Sequence, residues 1–166
     1  MGHDGARHLS PRFSRRLIEK ERSGDRYKLN LHGEERDLLR GLGPQFAAML
    51  DDPTQPVLER LFPPAYLGDE QLQMQDEYRR LMQEDLVERH RQEFELLAST
   101  AGSDTLTGDE LLAWARALNS IRLVLGTHLD VSEDDENRVP TVPEEALYQW
   151  LTYVLGEVID ALEGQT

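Results

Sequence analysis

A guanidinium set within the apolar stripe of a helix is the feature of this 166-residue chain best placed to do chemistry. In LLAWARALNSIRLVLGTHLDV (111–131), Leu111, Ala115, Leu118, Leu125 and Leu129 recur at steps of three and four. Arg122 takes the next slot on that face. Arginine stays charged when buried, so it needs a carboxylate, an anion or a wet cleft. On a second helix Asp85 falls on the same face as Met74, Tyr78, Leu81 and Met82. Together they predict a buried Asp85–Arg122 pair on facing helices, joined by a polar cluster of Glu77, Arg80, Arg89 and Asn119. Buried ion pairs are more often structural, so fixing helix register is the expected role. The functional role would be an Arg122 that lines a cleft and takes an anion or a partner's carboxylate.

The remaining chemistry is thinner. His90 lies between Leu86 and Phe94 at steps of four, and His90-x-x-Glu93 has no matching site on another helix, as a di-iron bundle or a zinc peptidase would require. Neither His90 nor His128 has a companion ligand, so both read as satisfied or partly exposed, and no metal or other cofactor is expected. Asp130-x-Ser132-x-Asp134 begins like a calcium loop but carries Asp135 and Thr141 where that loop needs glycine and glutamate. With no cysteine, no Gly-x-Ser-x-Gly and no glycine-rich phosphate loop, nucleophilic catalysis has no anchor. Pairs such as Glu84/Glu88 lie on a polar face, unlike the buried carboxylates of acid–base sites. Trp114, Tyr148, Trp150 and Tyr153 are expected in the core, any exposed remnant marking a binding face.

Charge narrows the partners. The net charge is −14, yet residues 1–36 hold nine Lys/Arg against six Asp/Glu, and the rest is strongly acidic. Such a body repels phosphates and membrane surfaces and attracts basic partners. If nucleic acid is met at all, the basic N-terminal arm meets it, through Arg12, Arg15, Arg16 and Lys20. The amino terminus has no apolar signal core, and no apolar run approaches membrane-spanning length, which together predict a cytoplasmic protein.

These groups must be positioned by a mainly α fold. Its expected form is about five helices in an orthogonal or bundle-like array behind an N-terminal two-stranded β-ribbon, with residues 1–11 a tail and 12–163 one domain. Tyr27, Leu29 and Leu31 alternate with Lys28 and Asn30 as in a half-buried strand, and Ser23-Gly24-Asp25 suits the turn before it. Helices follow over 34–51 (kinked near Gly43-Pro44), 56–62, 71–99, 108–127 and 144–163. Leu72, Tyr78, Leu81, Met82, Leu86, Phe94 and Leu97 are the expected buried stripe of the longest. Residues 101–104 form a loop, and Thr107 with Glu110 makes a capping box. Pro63 and Pro64 enforce an extended path that Phe62 and Tyr66 anchor.

Three blocks, LFPPAYLGDEQLQMQDEYRRLMQEDL (61–86), ALNSIRLVLGTHLDVSEDDE (117–136) and LYQWLTYVLGEVIDAL (147–162), resemble an actinobacterial domain-of-unknown-function family that includes the oxidative-stress transcription regulator AosR. The matching positions are Tyr66, Glu77, Arg79, Arg80, Asp85, Asn119, Arg122, Gly126, Asp130 and Trp150. The resemblance implies a small helical protein, not an enzyme, that binds a sigma factor or the transcription machinery and modulates oxidative-stress genes. A redox regulator of that type is expected to use cysteines, and this chain has none. Two other functions stay open: a DNA-binding regulator using the basic ribbon, and a metal-dependent enzyme using Glu77, Asp85 and His90. A homo-oligomer also stays open.

Overall fold

Alternation along Arg26-Tyr27-Lys28-Leu29 puts Tyr27 and Leu29 on one face, and both are buried while Arg26 and Lys28 face solvent. The computed structural model describes residues 16–22, 24–62, 72–129 and 143–164. In it β1 (Ile18–Lys20) pairs antiparallel with β2 (Arg26–Leu29), Ile18 opposite Leu29. The connection turns through Gly24, whose φ of 83° suits a residue without Cβ. The expected N-terminal two-stranded ribbon is therefore present, and a later strand extends it. β3 (Thr105–Thr107) adds to β2, with Tyr27 opposite Leu106, giving a three-stranded sheet in the order β1-β2-β3. Three residues are too few for period-two alternation to show, and Thr107 carries a helix cap that hides the strand before it. That cap is the expected capping box: Thr107 N–H donates to Glu110 Oε1 at 2.8 Å, and Glu110 N–H to Thr107 Oγ1 at 3.1 Å.

The helices are α1 (Gly33–Met49), a 3₁₀ turn (Pro56–Leu61), α2 (Leu72–Thr100), α3 (Gly108–Leu129) and α4 (Pro143–Leu162). The mainly α class and the order of elements agree with the sequence pattern. α1 runs on through Pro44. Gly43 is where α1 crosses α2: a Cβ there would sit 2.5 Å from the Phe94 carbonyl oxygen and 2.7 Å from Ala98 Cβ. Only hydrogen lets the two backbones approach so closely.

α3 is the hub, packed against α2, α4 and the 3₁₀ turn, with the sheet on its first turns. Its buried face centres on Trp114, Leu118, Ile121 and Leu125. Trp114 is fully buried, and its Nε1–H donates to Thr100 Oγ1 at 2.7 Å. β1 lies on α4, where Leu17 N–H donates to Glu157 Oε1 at 3.0 Å. Arg36 joins the layers. Its guanidinium donates to the carbonyls of Leu29, Leu31, Ala101 and Ser103 at 2.6–3.2 Å. The structural arginine of this fold is therefore Arg36, which its sequence context did not mark. The tail, Phe13, Pro63, Pro64, Tyr66 and the Asp130–Asp134 loop lie outside the described residues.

Candidate interaction surface

α2 is 29 residues long and α1 is 17. At about 1.5 Å per residue, α2 is longer than its neighbour by roughly three turns, some 18 Å. Its second half is anchored: Phe94 and Leu97 are buried against α1 and α3. The stretch from Asp76 to Met82 is not. Asp76 to Met82 are all exposed, and Tyr78, Leu81 and Met82 show 54%, 65% and 44% of their surface. The expected buried stripe therefore holds at Phe94 and Leu97 and fails at Tyr78, Leu81 and Met82, while the Leu72 side chain lies outside the described ones. Periodicity reports an apolar face; it does not report whether another element reaches it.

That face has a distinct electrostatic setting. On a helix Leu81 neighbours the residues three and four positions away. These are Tyr78, Glu77, Glu84 and Asp85, all exposed. Three carboxylates thus surround one exposed leucine. Arg89 donates to Asp85 at 3.1 Å, in an i,i+4 pair with both side chains more than half exposed. Such a pair contributes little stability, on the order of 0.3–0.5 kcal/mol.

The Asp85–Arg122 pair does not form. Asp85 lies on the uncovered half of α2 and bonds Arg89, whereas Arg122 sits at the α3–α4 seam. Counting about 100° per residue places Arg122 roughly a quarter turn from Ile121, the middle of the buried stripe. A stripe read through Leu111, Ala115 and Leu129 was centred too far to one side. Arg122 Nε donates to Thr152 Oγ1 at 2.8 Å, and the Thr152 hydroxyl donates to the Tyr148 carbonyl at 2.9 Å. The guanidinium carbon lies 5.3 Å from the Tyr148 ring centre. Glu77 and Arg80 are exposed on α2 and Asn119 is exposed on α3, so the predicted cluster divides between two surfaces.

His90 faces inward. Its Nε2 is 3.3 Å from the Leu61 carbonyl, and the ring meets Phe62 edge-on and stacks on Phe94. A bond to a carbonyl makes Nε2 the protonated nitrogen, and Nδ1 is buried without a hydrogen-bond partner. Burial holds its pKa below the ordinary range, the Leu61 bond opposing and the Arg89 charge adding. One turn on, Glu93 is nearly buried, and desolvation raises its pKa against the pull of Arg116 and Arg89. Sequence reasoning missed Glu93 as a buried acid, although its spacing from Phe94 and Leu97 placed it beside the α2 core face. Asp85 lies roughly 140° around the helix from His90, so the proposed Glu77–Asp85–His90 set has no shared focus. His128 is exposed. Among the described residues no group of three His, Asp or Glu is placed to hold a metal ion.

On the ribbon, Lys20, Arg26 and Lys28 are exposed, but Glu19 stands directly opposite Lys28 and Glu21 follows Lys20. Alternating signs make a poor phosphate track. The Arg16 carbonyl accepts from Asn30 Nδ2 at 3.1 Å, and Arg12 and Arg15 lie outside the described residues. Trp150 is partly buried, its Nε1–H donating to Glu35 Oε2 at 3.3 Å. No helix among the described residues is long and apolar enough to cross a membrane.

A family model described as "Domain of unknown function (DUF2017)" matches residues 14–162. No curated protein and no solved structure matches the chain.

Proposed function

The chain belongs to the DUF2017 family, and for it we propose a non-enzymatic role in transcription: a cytoplasmic regulator resembling AosR that acts by docking a protein partner on the outer face of α2. The observation that carries this reading is the exposed strip Tyr78–Leu81–Met82 with Glu77, Glu84 and Asp85 around its leucine. Covering a leucine or methionine fully contributes about 1.5–3 kcal/mol, so this strip supplies a meaningful share of a docking energy. The carboxylates favour a partner segment that pairs apolar side chains with Lys or Arg, and they raise the rate of its encounter. The resemblance to the AosR-containing family supplies the partner class, a sigma factor or another part of the transcription machinery.

The DNA-binding reading is weaker because the ribbon interleaves Glu19 and Glu21 with its cations. The test is affinity capture of tagged protein from its own cells, probed for sigma factor and RNA polymerase subunits. Leu81→Arg, which changes an exposed position, is expected to keep the fold and lower recovery at least tenfold. Equal recovery with both proteins would reject the α2 face.

A further inference from the structure

His90 ties together two elements that lie far apart in the sequence. Its Nε2–H donates to the Leu61 carbonyl at 3.3 Å. The ring meets Phe62 edge-on with centroids 5.6 Å apart, and stacks on Phe94 at 6.3 Å. One side chain of α2 thus holds the end of the 3₁₀ turn, Leu61 by its carbonyl and Phe62 by its ring. Leu58, one turn earlier, has its own anchor: it is 1% exposed, in a turn that packs on α3.

The other ring nitrogen, Nδ1, is buried without a hydrogen-bond partner. In the neutral ring it is only an unused acceptor. A proton there makes both nitrogens donors and places a charge beside two apolar rings. The surroundings offer that charge nothing. On the turn, Glu59 and Arg60 are exposed, and α1 reaches this region through Phe46, whose ring packs on Phe94. Arg89 on α2 acts on the ring and disfavours the cation, while Arg116 of α3 acts on Glu93. Among the described residues no carboxylate forms an ion pair with His90, Glu93 included. The imidazolium is satisfied only by turning out to water, which gives up the Leu61 bond and the Phe62 contact together.

We propose that His90 is a proton-operated latch on the end of the 3₁₀ turn. The neutral ring holds Leu61 and Phe62 against α2. A proton on Nδ1 releases them, while Leu58 keeps the rest of the turn on α3. The device is local, and it acts before the fold as a whole is lost.

Amide hydrogen exchange on the full-length protein, followed by NMR and corrected for the intrinsic effect of pH on exchange, reads the release directly. The Phe62 amide donates to the Glu59 carbonyl at 3.3 Å, and the Leu58 amide to the Gln55 carbonyl at 3.0 Å. As pH falls from about 7.5 through the midpoint of the His90 imidazole, Phe62 protection should drop at least about threefold, and Leu58 protection by less than about 1.5-fold. His90→Gln cannot titrate but can still donate to the Leu61 carbonyl, and should keep Phe62 protected throughout. The comparison of Phe62 with Leu58 is made within the parent protein and holds whether or not the variant folds. Constant Phe62 protection while the imidazole titrates, the same loss in His90→Gln, or Phe62 and Leu58 opening together would overturn the latch.

Discussion

Arg122 and Tyr148 are stacked across the α3–α4 seam, guanidinium carbon to ring centre 5.3 Å, with Thr152 between their backbones as the hydrogen-bonded strut. This contact replaces the ion pair that the sequence pattern suggests, and it changes what Arg122 is for. A partly exposed cation held by an aromatic face and a hydroxyl is a packing group of the α3–α4 seam.

The first prediction follows from that geometry. Arg122→Ala should cost about 1–2 kcal/mol, the sum of a hydrogen bond and a partly exposed cation–π contact. Asp85→Ala should stay within about 0.5 kcal/mol, as exposed positions do. A double-mutant cycle by urea unfolding should give a coupling near zero. A coupling above about 1 kcal/mol would restore the Asp85–Arg122 pair.

Trp114 gives the second. Its indole N–H has Thr100 Oγ1 as its partner, and that hydroxyl donates in turn to the Leu96 carbonyl at 2.6 Å. Thr100→Val keeps the shape and orphans a buried donor, so about 1–3 kcal/mol of stability should be lost. Thr100→Ser, which keeps the hydroxyl, should retain most of it. A loss in Thr100→Ser with none in Thr100→Val would show that the methyl group matters and the hydrogen bond does not.

The α1–α2 crossing supplies a third. Gly43→Ala drives a methyl group into the Phe94 carbonyl and Ala98 Cβ, and should destabilise by about 1–3 kcal/mol through overpacking. Gly41 is the control, because a Cβ there meets nothing within 4 Å. Removing a helical glycine at that site should stabilise by up to about 1 kcal/mol. Thermal unfolding of the two variants should therefore shift in opposite directions.

Acid should act through His90. Its folded pKa is lowered, so the unfolded chain binds more protons over the acidic side of neutrality. The stability tied to neutral His90 is complete above the unperturbed value of about 6.5 and is lost as pH falls through the folded one. Glu93 has the opposite sign: its raised pKa gives a contribution present below the ordinary carboxylate value and lost as pH climbs through the folded one. Between pH 7.5 and 5.5 the unfolding temperature of the parent should fall more than that of His90→Phe. Glu93→Gln should gain on the parent as pH rises. Parallel curves for parent and His90→Phe would remove the histidine from this account.

Much of the fold was legible because each element carries its own signal. Tyr27 and Leu29 alternate, Thr107 and Glu110 cap, and Pro56 opens the 3₁₀ turn. What stayed hidden depends on which elements meet. β3 exists because β2 offers Thr105–Thr107 a ladder, and Arg36 is central because four carbonyls from separate segments end near it. Neither fact has a local pattern. The site residues divide in the same way. Arg122 was singled out correctly as an arginine needing explanation, but its partner comes from α4 and not from α2. Tyr78, Leu81 and Met82 look like core residues by spacing, and only the reach of α2 past α1 leaves them in solvent.

Docking of a protein partner on the outer face of α2, as we propose, can be read out by site-specific photo-crosslinking in living cells. A photoreactive residue is placed at position 81, with position 160 on the exposed side of α4 and position 20 on the ribbon as comparisons. The account predicts a discrete crosslink to a sigma factor or RNA polymerase subunit from position 81, absent from positions 160 and 20. No protein crosslink from position 81, or a DNA crosslink from position 20 in its place, would contradict it.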